Sequence, residues 1–534
     1  MPGLLGILGH NHNVRLGLAC TFLDSVAGGI WGFVALSVFI YLLQGKDTSR
    51  VGYAEGIQGL AQAAAAIPAG YLADRFGRAG VLRAGGVVGL AAAASTLAVV
   101  LGDESRLWPS AEARYAGLCA SLALFGVNAG ITNPALEALF ADSVKTGERS
   151  ETYSLRFMLS VGGFSLGPVT SAVLFSGIGN EWTLSRVRVV MLVGLSVNLI
   201  SIVGYFFFRD DLALGTESEG LNATGAGRDE ATAPLLAEEG PGGEQVDEEV
   251  DEEEGGGGRE SWEGSDEEEE GSTSAASCST TVSLGCCVIS QSQIPLVLVL
   301  TDLVTAVASG MTVKFFPIFF QDRCGFSPVL VNAILASTTA VMAVFTWGCQ
   351  LLSRPLGRLG AAFATKIVGV GLLVAMALMR PLWTNPWAIS PVFLARTALM
   401  NCGAPLIKSV AMDYVPKKQR GKWNALDSVT QFGWSGSAVL GGVLLQRYGF
   451  GVVFLLTAAT QLVGNLPYIL IHPIVPAETK PPPQPVRPDE GDDGLDGPEH
   501  GDGDGDRDGE EDEDGGEDGL GGYVPLADGP PQGP

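Results

Sequence analysis

Residues 70–78 read Gly-Tyr-Leu-Ala-Asp-Arg-Phe-Gly-Arg, GYLADRFGR, and they stand between two long apolar runs. One carboxylate, Asp74, and two guanidiniums, Arg75 and Arg78, crowd a stretch that opens on Gly70 and turns at Gly77. Glycine at the turn lets the chain reverse tightly, so the stretch reads as the polar corner of a membrane hairpin. The flanking runs belong to a series. Apolar runs of about 20 residues, each long enough to cross roughly 30 Å of hydrocarbon as a helix, occupy 14–43, 51–73, 79–101, 115–140, 152–177, 186–208, 294–320, 328–352, 361–380, 388–412, 421–446 and 451–472. They lack the period-two alternation of barrel strands. The expectation is an all-α membrane protein with twelve transmembrane helices.

Charge divides the chain further. It is 47 % hydrophobic, yet its formal charge is −26. Residues 209–292 hold 23 acidic and 3 basic side chains, and residues 473–534 hold 19 and 3, which leaves the apolar remainder at +10. Low-complexity acidic segments bury too little apolar surface to offset ordering entropy. The expected layout is a short N-terminus (1–13), a six-helix half (14–208), a disordered acidic insert (209–292), a second six-helix half (293–472) and a disordered acidic tail (473–534). Met1–Val14 lacks a charged region followed by a small-residue cleavage site, so no signal peptide is expected. The cysteines show neither metal-ligand nor disulfide-framework spacing. No phosphate-binding G-x-x-x-x-G-K-[ST] loop occurs, so neither an ATP site nor an enzyme is expected, and no cofactor beyond coupling protons.

Gly70, Leu72, Asp74, Gly77 and Arg78 match G-x-L-x-D-x-x-G-R-[RK]. The stretch resembles the cytoplasmic loop between helices 2 and 3 of the major facilitator superfamily, with Ala79 where a second base is usual. The resemblance covers about residues 14–472. It implies two pseudo-symmetric six-helix bundles and secondary transport of a small solute by alternating access. It also implies that Asp74 faces the start of helix 11 and that Arg78 pairs with Asp142, latching the cytoplasmic side shut in the outward-open state. The alternative is a non-transporting relative that acts as a receptor or regulator through its acidic segments.

The halves repeat one another. At an offset of 271, Asp142–Arg149 falls on Asp413–Arg420 and Pro134 on Pro405; near 278, Asp24 falls on Asp302. Gly77-Arg78 recurs as Gly357-Arg358, with Arg354 where Asp74 would stand. Arg358 with Asp413 is the expected remnant of the latch in the second half. Such duplication places a site between the halves near mid-membrane. Bases cluster in alternate loops, at Arg75, Arg78 and Arg83; Lys145 and Arg149; Arg354 and Arg358; and Lys417, Lys418, Arg420 and Lys422. Lys and Arg in short loops mark the cytoplasm, so both termini and the insert are expected there.

Ionisable groups inside spans are functional candidates by default. Asp24 lies about ten residues into the first span, roughly 15 Å deep, with Asp302 as its counterpart; both are candidates to face the cavity and carry a proton or contact substrate. Glu137 and Arg156 align with Lys408 and Asp427, swapped in sign. Pairing within each half, Glu137 with Arg156 and Lys408 with Asp427, is the economical reading; pairing across the halves would make a gate. Lys314 and Arg396 have no acid at the matching repeat position. An unpaired cation facing the cavity favours an anionic, carboxylate-bearing solute, while for Lys314 snorkelling to an interface is the plainer reading. Gly163 and Gly167-Pro168 resemble the core of the superfamily's antiporter motif without its trailing glycines, which leaves helix packing as the simpler account. In the tail, Tyr523-Val-Pro-Leu526 fits a tyrosine-based sorting signal for a trafficking adaptor.

Overall fold

The computed structural model describes residues 11–102, 108–144, 149–214, 281–284, 287–290, 293–414, 420–473 and 475. Tyr523–Leu526 and most of the insert and tail lie outside them.

Helices α1 to α6 form the first half: α1 His12–Leu43, α2 Thr48–Phe76, α3 Arg78–Leu101, α4 Ala111–Ser143, α5 Arg149–Ile178 and α6 Leu184–Gly204. The second half holds α7 Ile294–Arg323, α8 (328–356), α9 (358–378), α10, α11 (420–448) and α12 (450–465, continued by Pro467–Ile471). α10 comes in two pieces, Pro386–Asn401 and Ala404–Tyr414. α8 runs into α9 through Gly357 and α11 into α12 through Gly449. Among the described residues, eight helical stretches are long and apolar enough to cross a membrane, the 51-residue run of α8 and α9 counting as one. Within the insert, a two-stranded antiparallel hairpin pairs β1 (Thr281–Leu284) with β2 (Cys287–Ser290).

The corner at residues 76–78 is a single residue wide. α2 ends at Phe76, α3 begins at Arg78, and Gly77 between them has φ +83° and ψ 146°. That backbone region is essentially reserved for glycine. Gly357 repeats it at φ +72° and ψ 165°. Asp210, from the first residues of the acidic insert, accepts a hydrogen bond from Ala79 N at 2.9 Å and caps α3. Leu214 N donates to Asp142 O at 2.9 Å, and Asn13 Nδ2 to Arg209 O at 2.7 Å. The start of the insert is therefore built into the face that carries the motif, here called the motif face; the opposite one is the distal face.

The halves are joined on the distal side. Thr48 N and Oγ1 both donate to Gln446 Oε1 at 3.1 Å, Lys46 pairs with Asp322 at 3.2 Å, and Trp182 Nε1 donates to Phe326 O at 2.7 Å. Gly52, Gly56 and Gly59 of α2 lie against Ala438, Val439 and Ser435 of α11, with no room for a Cβ. Small residues on one face permit this backbone approach. These links, with the Ser165–Thr339 and Glu55–Lys314 contacts, lie on the distal side or at mid-depth. Gly163 and Gly167 of α5 meet Phe22 and Gly29 of α1 within the first half.

Candidate functional site

Behind the distal seam lies a cavity of about 880 Å³ between the halves. Its charged lining is sorted by half. Asp24 (α1) and Glu55 (α2) come from the first, Lys314 (α7) and Arg396 (α10) from the second. α1 loosens into a π-turn over Gly28–Ala35 as it passes the cavity, a departure from α geometry that often marks function.

Asp24 accepts from Tyr205 Oη at 2.6 Å on one oxygen and from Asn198 Nδ2 at 3.1 Å on the other. Its repeat counterpart, Asp302, does not line the cavity, contrary to the sequence expectation. Tyr468 Oη donates to it at 3.2 Å and Lys366 Nζ stands 3.8 Å away, so its carboxylate is turned into its own half. The duplication thus preserves an Asp–Tyr contact between the first and last helix of each half, while only Asp24 reaches the cavity.

Lys314 also departs from expectation. It is neither unpaired nor snorkelling, since Glu55 of the other half stands 2.8 Å from it and Trp434 covers it at 4.6 Å. The partner was hidden because it lies on α2, away from the repeat-related position. Arg396 is different. It is 3 % exposed, its guanidinium sits 5.5 Å from the Phe316 ring, and it has no ion pair among the described residues. Its Nε has no hydrogen-bond partner. Buried polar groups are nearly always satisfied, yet Glu55 Oε1, Asn198 Oδ1, Thr305 Oγ1, Arg396 Nε and Thr397 Oγ1 all lack partners and all belong to residues of this cavity wall.

The remaining charges sit on the motif face. Arg78 makes an ion pair with Asp142 and donates to Ala138 O at 2.9 Å. Arg358 pairs with Asp413 at 2.7 Å and donates to Ser409 Oγ at 2.6 Å. Glu137 and Arg156 form an ion pair, tying α4 to α5. Lys408 is exposed; the side chains of Asp74 and Asp427 lie outside the described residues. Sequence reading missed Glu55, Lys366, Asn198, Tyr205 and Tyr468. Glu55 is the only charge in its apolar run, so the rule applied to Asp24 would have found it.

Two bundles closed on one side over a charged cavity define the class: a multi-pass membrane carrier that exposes a central site to one face at a time. The Major Facilitator Superfamily profile matches residues 17–436, and the chain belongs to that superfamily of secondary transporters. Its fold is similar to solved structures of a D-xylose–proton symporter (TM-score 0.56, 12 % identity, 87 % of this chain and 97 % of that one), a bacterial homologue of the human lysosomal transporter Spinster in an inward-facing, occupied conformation (0.56, 12 %, 88 % and 96 %), and a bacterial homologue of the iron transporter ferroportin in an inward-facing state (0.55, 12 %, 88 % and 99 %). No curated protein matches it in sequence.

Proposed function

We propose that the protein is a proton-coupled carrier of small, carboxylate-bearing solutes. It alternates access across the membrane with the GYLADRFGR face toward the cytoplasm. The observation that carries the reading is Arg396, a buried guanidinium in the cavity wall with no acidic partner among the described residues. An unpaired buried charge is costly, and a carboxylate from the solute is the natural partner for its fork of donors.

Glu55 is the proposed proton site. Its partner Lys314 belongs to the other half, so opening the distal side pulls the two apart. Separating a buried pair costs about 3–5 kcal/mol when a bare charge is left behind; a proton on Glu55 removes the negative charge, and the Lys314 ammonium keeps the Trp434 ring. With the distal seam closed, this conformation corresponds to the inward-facing state. Asp74, whose side chain lies outside the described residues, is the proposed latch toward the start of α11 on the motif face. Arg78–Asp142 and Arg358–Asp413 keep α3 on α4 and α9 on α10 as each half rocks.

The reading is tested by thermal stability of the purified protein against carboxylates, amines, sugars and nucleosides. A ligand at 100 times its Kd stabilises the native state by about 2.7 kcal/mol. Carboxylates are expected to raise Tm in the wild type and not in Arg396→Gln. Stabilisation by uncharged solutes alone, or equal stabilisation of the variant, contradicts the reading.

A further inference from the structure

Two of the described cysteines meet. Cys349 of α8 and Cys402 of α10 are far apart in the chain, and in the fold they pack together with Ala361 of α9. Their thiols hydrogen-bond to one another, and Cys349 Sγ lies 4.0 Å from Thr365 Oγ1 of α9. Both cysteines are buried, at 2 % and 1 % exposure. Cys20, Cys119 and Cys324 have no second cysteine beside them among the described residues. The pair stands at the joint of α10, whose two pieces are parted by Cys402 and Gly403. Gly403 presses on Ala362 with no room for a Cβ. So α9 holds one residue of the joint and Cys349 of α8 holds the other.

From this contact we propose that Cys349 and Cys402 are a reversible redox pair, a site at which hydrogen peroxide converts two thiols of the second half into a disulfide. Cys402 directly follows Met400 and Asn401 of the cavity wall, and Asn401 is exposed. A small neutral peroxide in the cavity therefore meets Cys402 first. The Lys366 ammonium also interacts with Cys402, and a neighbouring cation steadies the negative charge that the attacking sulfur carries. The chemistry takes two steps. The Cys402 sulfur attacks one peroxide oxygen, the O–O bond breaks, and a sulfenic acid forms as the thiol proton leaves in a first water. The Cys349 sulfur then attacks the sulfenic sulfur, the S–S bond forms, and the hydroxyl leaves with the second thiol proton as a second water. The two thiols lose two electrons and the peroxide gains them. The disulfide ties α8 to the joint between the α10 piece that carries Arg396 and the piece that carries Asp413, so oxidation fixes that bend. A reducing thiol reverses it by exchange. The inference is independent of the solute carried.

The test is peptide mapping by mass spectrometry on the full-length purified protein. The folded protein is treated briefly with hydrogen peroxide, and the remaining free thiols are then alkylated in denaturant. The fragments that carry Cys349 and Cys402 are expected to appear linked, about 2 Da lighter than the two reduced fragments together, and to separate on addition of dithiothreitol. In Cys349→Ser, Cys402 has no resolving thiol and is expected to stop at the sulfenic acid, which dimedone captures. In Cys402→Ser, Cys349 is expected to keep its free thiol under the same treatment. If both residues of the wild type are still alkylated after peroxide, the inference is overturned, whatever the other cysteines do. Capture of Cys402 by dimedone in the wild type with no link to Cys349 overturns it as well, because the second thiol is then out of reach. Links from either residue to some other cysteine in place of the Cys349–Cys402 link have the same consequence.

Discussion

A guanidinium inside a membrane protein needs an anion, a wet path or an aromatic face, and among the described residues Arg396 has Phe316 and the cavity. Hydrogen bonds to charged groups contribute about 1.5–3 kcal/mol each. Arg396→Gln is therefore expected to weaken carboxylate binding by about 10- to 100-fold, read by calorimetry, with Arg396→Lys between the two because an ammonium keeps the charge and loses the fork. Glu55 carries a different expectation. Glu55→Gln fixes the neutral form, so solute exchange with no gradient persists while a pH gradient no longer drives accumulation. Gradient-driven uptake by Glu55→Gln equal to that of the wild type would remove the proton from Glu55. Arg396 was legible in the sequence as a base inside an apolar run. Its partner status was not, because freedom from pairing depends on which helices face it.

The corner between α2 and α3 shows how much one element's end depends on remote chain. Gly77 holds a glycine-only conformation, and the Asp210 carboxylate lies where a Cβ on Gly77 would sit, 2.7 Å from its Oδ2. Gly77→Ala is expected to cost about 1–3 kcal/mol from backbone strain, with the contact to Asp210 added. Asp210→Ala removes only the cap, about 1 kcal/mol. Thermal unfolding should rank Gly77→Ala below Asp210→Ala, and the reverse order would contradict the geometry. The glycine could be read from the motif. Asp210 could not, since it opens a segment of 23 acidic residues and nothing local distinguishes the one that caps a helix. The same limit applies to α8–α9 and α11–α12: the apolar runs predicted two helices each, and the bends at Gly357 and Gly449 divide what is otherwise continuous helix.

At the scale of the molecule, the two halves and their duplication were readable because membrane spans follow from length and hydropathy and the repeat from aligned charges. The state of the carrier was not readable. It depends on which seam is closed, and apart from Lys46–Asp322 the closed seam is made by glycines and uncharged groups such as Thr48 and Gln446, which leave no pattern in a single sequence. Because the α2–α11 contact has no room beyond hydrogen at Gly56, Gly56→Leu should wedge the distal side open and close the motif face. Spin labels replacing Phe157 on α5 and Trp347 on α8, both exposed, should move closer together in that variant; an unchanged distance would mean that this seam does not set the equilibrium. The account as a whole stands on flux. Reconstituted in proteoliposomes, the wild-type protein should accumulate a small carboxylate-bearing solute against its concentration gradient when a pH gradient is imposed, and Arg396→Gln should not. A wild type that binds such a solute and moves none of it, with or without the gradient, would contradict the account.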